Sequence, residues 1–155
     1  MASGGAVASH PIDASTPWVA AADGNLPLLQ ASLAKLELGV GSKDQSGYTL
    51  LQAAASYSQI VVLQWILAQN VNIQDVDCDG DSALHYASTM EACKILVENG
   101  IDIQIRNSSG HTALATKQLE LNELMEDEDY EENDPDSVTL KKLVDYLVSL
   151  NSRPQ

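Results

Sequence analysis

The sequence predicts an all-α solenoid, a stack of short helical repeats. Three observations lead there. A similar string of residues recurs three times, at spacings of 33 and then 30 residues, and a period of this length marks units that bury their apolar faces only by stacking. Each string starts at a glycine, offers a Ser or Thr as a helix cap, and then runs into small and aliphatic residues. The composition is 45% hydrophobic but 5% aromatic, with no Phe, so the core must come from Leu, Val, Ile and Ala. Such interlocking aliphatics suit helix packed on helix. A chain of 155 residues is expected to form one domain.

The elements follow in chain order. Residues 1–14 form a small-residue arm, expected to be disordered. Repeat one, about 15–43, carries Thr16-Pro17-Trp18-Val19-Ala20-Ala21-Ala22-Asp23-Gly24, found by stepping 33 residues back from Thr49. Repeat two, about 44–76, carries Gly47-Tyr48-Thr49-Leu50-Leu51-Gln52-Ala53-Ala54-Ala55. Repeat three, about 77–106, carries Gly80-Asp81-Ser82-Ala83-Leu84-His85-Tyr86-Ala87-Ser88, and repeat four, about 107–150, starts Gly110-His111-Thr112-Ala113-Leu114-Ala115. Asp44, Asp77 and Asn107 each stand three residues before their glycine. Thr16, Thr49, Ser82 and Thr112 are placed to cap a helix, and the alanines after them let an inner helix approach its neighbour closely. An outer helix follows, with Val62, Leu63, Ile66 and Leu67 at helical spacing.

Two irregularities stand out. Repeat three is three residues short between Ala87 and Gly100, so its inner helix or the turn after it must be clipped. In repeat four the inner helix is expected to run on through Leu119, Leu121 and Leu124 into an acidic insertion, 126–136. A helix resumes at Ser137 with Leu140, Leu143, Val144 and Leu147 on one face. Residues 151–155 are expected to be a disordered tail.

With these residues placed, the chain resembles the ankyrin-repeat family, whose pattern is D-x-x-G-x-T-P-L-H-x-A-A followed by an I-V-x-x-L-L helix. Repeat two follows it with Asp44, Gly47, Thr49, Leu51, Ala54 and Ala55, and repeat three with Asp77, Gly80, Ser82, Leu84, His85 and Ala87. The resemblance covers about Thr16 to Leu150. It implies helix-turn-helix units, no catalysis, and a concave face whose turn tips and inner-helix positions hold a protein partner. Those positions here are Ser46, Tyr48, Ser56 and Tyr57 in repeat two. In repeat three they are Asp79, Asp81, Thr89 and Met90, and in repeat four Ser109 and His111. His85 takes the family's histidine position, where a structural role is implied. Trp18 and Val19 replace the family's Leu-His, which marks repeat one as an N-terminal cap with Trp18 covering the core. Trp65 is expected to pack on the outer layer.

Charge narrows the partners. The chain has 22 acids against 8 bases, a net charge of -14 and a pI near 4.2. Ten of the acids lie between Glu120 and Asp136 with no base among them, so the other 12 acids face all 8 bases. This balance excludes a protein that grips phosphate backbones or an anionic membrane surface, since both need Lys and Arg. The first residues show no secretory signal, position 2 is Ala and so not a myristoylation site, and no run is long enough to span a membrane. Two cysteines, Cys78 and Cys93, form no disulfide framework. The expected location is cytoplasmic, nuclear or both.

No motif points to chemistry. Asp75-Val76-Asp77-Cys78-Asp79-Gly80-Asp81 opens like a calcium loop, but the twelfth position, where a bidentate Glu belongs, is Tyr86. Gly39-Val40-Gly41-Ser42-Lys43 lacks the glycine before lysine that a phosphate loop needs. His10, His85 and His111 have no metal-ligand spacing, and neither cysteine has a nearby base. No catalytic residue, metal ligand or cofactor is therefore assigned.

The expectation is a monomeric protein-binding module without catalysis. Its partner-binding residues are Tyr48, Ser56, Tyr57, Asp79, Asp81, Thr89, Met90 and His111, with Glu126, Asp127, Glu128, Asp129, Glu131 and Glu132 of the acidic insertion. The insertion suits a basic partner, and one role is a chaperone or escort for a ribosomal or other nucleic-acid-binding protein. An adaptor or regulatory subunit, with the acids only as solubiliser, is the alternative. A calcium-binding protein acting through 75–81 is a third.

Overall fold

The computed structural model describes residues 11–152. His10, residues 1–10 of the expected arm and tail residues 153–155 lie outside the described residues. The described residues form eight helices in four pairs: α1 (Thr16–Asp23) and α2 (Leu26–Leu36), α3 (Leu50–Ser56) and α4 (Ile60–Leu67), α5 (Ala83–Tyr86) and α6 (Met90–Glu98), α7 (Ala113–Met125) and α8 (Pro135–Asn151). The first helices of the pairs pack side by side, α1 on α3, α3 on α5 and α5 on α7, as an inner layer. The outer layer runs α4, α6, α8, and α2 packs on α1. Asn151, assigned to the tail by sequence, is the last residue of α8.

The core lies between the two layers. From the inner helices come Ala20, Ala21, Leu50, Leu51, Ala53, Ala54, Ala55, Ala83, Leu84 and Ala113, all buried. The outer helices bury one phased stripe each: Val62, Leu63 and Ile66 on α4, Ala92, Cys93 and Leu96 on α6, Leu143, Val144 and Leu147 on α8. The small inner residues set the close spacing of the layer, and the outer stripe fills what remains.

The caps explain where the helices begin. Thr49 Oγ1 accepts the Gln52 N–H at 3.1 Å while Gln52 Oε1 accepts the Thr49 N–H at 3.0 Å, a reciprocal box. Thr112 Oγ1 accepts the Ala115 N–H at 3.3 Å, and Asn25 Oδ1 caps α2 through Leu28. Repeat one departs from expectation. Ser15, not Thr16, occupies the N-cap position of α1. Thr16 Oγ1 instead accepts the Asp13 N–H at 2.9 Å, and Pro17 sits in the first turn, where its missing N–H is harmless.

The clipped repeat is resolved in favour of the helix. α5 has 4 residues where α3 has 7, which accounts for all three missing residues. The chain leaves α5 at Ala87 in extended backbone, and the Ser88 N–H donates to the Ala55 carbonyl at 3.3 Å, so the shortened turn leans on repeat two.

Candidate functional site

Between each outer helix and the next inner helix the chain makes a finger. In finger one Asp44 Oδ1 accepts the N–H groups of Ser46 and Tyr48, at 2.8 and 2.9 Å. In finger two Asp77 Oδ1 accepts those of Asp79 and Asp81, both at 3.0 Å, and in finger three Asn107 Oδ1 accepts those of Ser109 and His111, both at 3.0 Å. One side-chain oxygen thus folds each finger. The fingers also stack on one another: the Cys78 N–H donates to the Ser46 carbonyl at 2.9 Å and the Ser108 N–H to the Asp79 carbonyl at 2.8 Å.

A second ladder joins each inner helix to the finger after it. Trp18 Nε1 donates to the Tyr48 carbonyl at 2.9 Å, and Gln52 Nε2 donates to the Asp81 carbonyl at 2.8 Å. His85 Nε2 donates to the His111 carbonyl at 2.9 Å. His85 Nδ1 accepts the Ser82 N–H at 3.1 Å, which puts the ring proton on Nε2. Both ring nitrogens are therefore committed to framework. Trp18 does more than cover the core: it is the first rung of this ladder.

These contacts decide what the expected binding residues are free to do. Asp79 is exposed at a fingertip, whereas Asp81 is half-buried and accepts the Asn107 amide at 2.9 Å. Tyr48 stacks edge-on against Tyr86, with ring centroids 5.3 Å apart, and burial raises its phenol pKa. His111 is half-buried, its main chain held at both ends. Ser56 ends α3, and Tyr57, one residue on, is 63% exposed.

Thr89 and Met90 need a correction of place. Because α5 is clipped, Thr89 is not the counterpart of Ser56 on an inner helix. It is the N-cap of the outer helix α6, matching Gln59 at the start of α4. Its Oγ1 accepts the Ala92 N–H at 3.2 Å and pairs with Ser58 Oγ at 2.6 Å. Met90 opens α6 and is 42% exposed. Thr89 is framework; among the expected binding residues, Tyr57 and Met90 are the apolar side chains left open. Both lie in inner-to-outer turns, the end of the stack opposite the fingers. There Gln59 Nε2 reaches the Ala22 carbonyl at 2.6 Å, tying turn to turn.

The acids of 126–136 occupy the same end in repeat four. α7 has 13 residues, six more than α3, so it overhangs by about 9 Å at the helical rise. Glu126 caps it, 127–134 turn back, and Asp134 caps α8 by accepting the N–H groups of Asp136 and Ser137 at 3.0 and 3.2 Å. Glu126, Asp127, Glu128, Asp129, Glu131 and Glu132 are all exposed. Met125 at the end of the overhang and Leu119 just before it are exposed as well.

Asp77, Asp79 and Asp81 bring ligand oxygens within 4.8 Å of one another. Their chemistry is that of a finger. Asp77 spends one oxygen on two main-chain N–H groups, and its other accepts the Tyr86 hydroxyl. A hydroxyl donor thus stands where a calcium loop carries its bidentate Glu. Burial, then the bond to Asp77, raises the Tyr86 phenol pKa. Cys93 is buried in α6, and burial pushes its thiol up to about 12, the reverse of an activated nucleophile. Among the described residues no helix is long and apolar enough to cross a membrane.

Comparison with known proteins agrees with the geometry. A family profile described as ankyrin repeats, in three copies, matches residues 18–116. An ankyrin repeat-containing protein of Schizosaccharomyces pombe is 28% identical over 108 residues, which is 68% of this chain and 50% of that protein. A probable serine/threonine-protein kinase of Dictyostelium discoideum is 29% identical over 86 residues, 50% of this chain but 10% of the kinase. The chain therefore spans half or less of the length of these relatives. Stacked fingers, paired helices and a profile match over most of the chain converge: the chain belongs to the ankyrin-repeat family, whose repeats form protein–protein interaction modules.

Proposed function

We propose that this stack holds a basic segment of a protein partner, with Tyr57 and Met90 giving apolar contact and the acidic turn giving the charge. One observation carries the reading. The exposed side chains of Tyr57 and Met90 and the exposed acids occur at the same end of the stack, in successive inner-to-outer turns. Aromatic and Met side chains are enriched where partners bind, and a one-sign surface beside them speeds encounter with an opposite one. The role that follows is an escort, masking a ribosomal or other nucleic-acid-binding protein until delivery. A reducing compartment, cytosol or nucleus, suits its two free cysteines, one of them exposed.

The test is calorimetric binding of purified basic ribosomal proteins between ~0.05 M and ~0.3 M salt, across which the screening length shortens about twofold. Two variants accompany the wild type. One carries Gln or Asn at Glu126, Asp127, Glu128, Asp129, Glu131 and Glu132; the other carries Tyr57→Ser with Met90→Ser. Affinity is expected to drop with salt, with the first variant and with the second. Binding that ignores both salt and the neutralised acids but is lost with Tyr57 and Met90 replaces the escort with an adaptor for a neutral partner.

A further inference from the structure

We infer that Asn99 is a covalent modification site: its side chain closes on the Gly100 nitrogen and turns into isoaspartate once the end of α6 has opened, and not while it is closed. Asn99-Gly100 is the only Asn-Gly pair in the chain. Asp23-Gly24 and Asp79-Gly80 share the glycine but carry a carboxylate, a poorer electrophile than an amide. Glycine leaves the attacking nitrogen unshielded and the backbone free to turn. Both residues of the pair are exposed, and a Cβ on Gly100 would meet nothing within 4 Å, so no described neighbour crowds the attack.

The reaction needs only water. The Gly100 nitrogen attacks Asn99 Cγ and an N–Cγ bond forms. The Cγ–Nδ2 bond breaks, and the amide group leaves as ammonia with the proton of the Gly100 N–H. The product is a cyclic succinimide. Water then adds to one of the two ring carbonyls and opens it. Opening at the main-chain carbonyl leaves isoaspartate, with the chain running through the former side chain. Opening at Cγ leaves aspartate.

The helix end decides when this happens. Ring closure requires the Gly100 nitrogen to eclipse Asn99 Cβ about the Cα–C bond. Asn99 has ψ 7°, which eclipses that nitrogen with Asn99's own nitrogen instead. Three bonds hold this conformation. The Gly100 N–H donates to the Val97 carbonyl at 3.0 Å, the Ile101 N–H to the Leu96 carbonyl at 3.1 Å, and Asn99 Nδ2 to the Ile95 carbonyl at 2.8 Å. With Gly100 at φ +91°, the first two are the Schellman closure of a helix. Ile101 is buried beyond it, and Gln74 grips the loop: its Nε2 donates to the Gly100 carbonyl and its Oε1 accepts the Asp102 N–H, both at 2.8 Å. Asn99 must turn about ψ to react, and closing the ring releases all three bonds. The folded chain should therefore react about a hundredfold more slowly than the unfolded one. The change is one-way. Isoaspartate puts an extra carbon into the main chain and a carboxylate in place of the amide, so the closure cannot re-form and a chain that has opened stays marked.

The test holds the full chain at neutral pH with and without guanidinium chloride, then digests it with trypsin for mass spectrometry. Residues 95–106 form one tryptic peptide in which Asn99 is the only Asn. Methylation by an isoaspartyl methyltransferase tells isoaspartate from aspartate. Expected is isoaspartate at Asn99 in denaturant, forming about a hundredfold more slowly in buffer. Gln74 is exposed, so Gln74→Ala should keep the fold, speed the reaction in buffer severalfold and leave the rate in denaturant unchanged. Denatured chain without isoaspartate at Asn99 overturns the site. Equal rates with and without denaturant, or a rate in buffer that Gln74→Ala does not alter, overturn its control by the helix end.

Discussion

Two glycines with the same backbone and different surroundings separate strain from stacking. Gly80 has φ +77° and Gly110 φ +81°, so an alanine at either enters the left-handed region. That alone costs about 1–2 kcal/mol. Their neighbours differ. A Cβ on Gly110 would meet nothing within 4 Å, whereas one on Gly80 would stand 2.9 Å from the Ser108 nitrogen and 3.1 Å from Asn107 Cα. Those atoms are main chain of the next finger and cannot rotate away. The fingers must part, which takes with it the bond from the Ser108 N–H to the Asp79 carbonyl, 2.8 Å long and worth about 1 kcal/mol. Forcing a methyl into such a contact adds about 1–3 kcal/mol. Gly110→Ala is therefore expected to lose about 1–2 kcal/mol and Gly80→Ala about 3–6 kcal/mol. Urea unfolding followed by far-ultraviolet circular dichroism reads both, with unchanged m-values as the condition for comparing them. At this chain length the gap should separate the two melting temperatures by about 5–10 °C. If the two alanines destabilise equally, finger-on-finger contact contributes nothing and the stacking account fails.

Two further predictions concern buried ionisable groups. Cys93 should ignore a thiol reagent that modifies Cys78 in the native protein, and react once urea unfolds the chain. Its thiol is raised from 9.0 to about 12, so the folded state holds the proton longer than the unfolded one. That contribution to stability is complete below about pH 9 and lost progressively as pH rises toward about 12. Tyr48 and Tyr86, raised chiefly by burial, act in the same direction. A Cys93→Ala variant whose urea midpoint falls as steeply with alkali as the wild type's would contradict the assignment to Cys93. Lys117 is buried on α7, its Nζ 3.2 and 3.3 Å from the Glu120 oxygens, while the Glu120 side chain is 45% exposed. Glu120→Gln should cost about 1–2 kcal/mol by leaving a buried cation unpaired, whereas Lys117→Met should be within about 1 kcal/mol of neutral. The reverse order in urea unfolding would show that the ammonium, not its desolvation, holds α7 in place.

Much of the fold was legible because the repeat writes it several times. The capping hydroxyls Thr49 and Thr112, the phased outer stripes and the three-residue deficit of repeat three all follow from spacing in the chain, while the choice between a clipped helix and a clipped turn came from the structure. Where spacing misled, a shift of register was responsible. Stepping 33 residues back from Thr49 lands on Thr16, but Trp18 stands 34 before Gln52, its partner in the ladder, so α1 is capped one residue earlier. The ladder was not readable at all. Trp, Gln and His share nothing but an N–H donor at the right reach. Thr89 was misplaced for a related reason: the deletion within repeat three moves the register from 33 to 30 at that point. The acidic turn was readable as charge, whereas its geometry was not, since that depends on Asp134 capping α8 through the Asp136 and Ser137 N–H groups.

The position of that turn follows from how the stack is tied. Inner helices α1, α3 and α5 are held at their first turn by the donor ladder and at their last by bonds between turns, as from Gln59 to Ala22 and from Ser88 to Ala55. Neither helix end can lengthen without breaking a bond to a neighbour. Among the described residues, α7 has a repeat on one side only. Ala115, at the ladder position, has no side-chain donor. Among the described residues, the hydrogen bonds of 126–136 run within the turn or to α7 and α8. Six extra residues and a run of like charges therefore fit there without straining any other repeat. Their mutual repulsion, which would loosen an internal turn, instead keeps this one open to solvent and to a cation from outside.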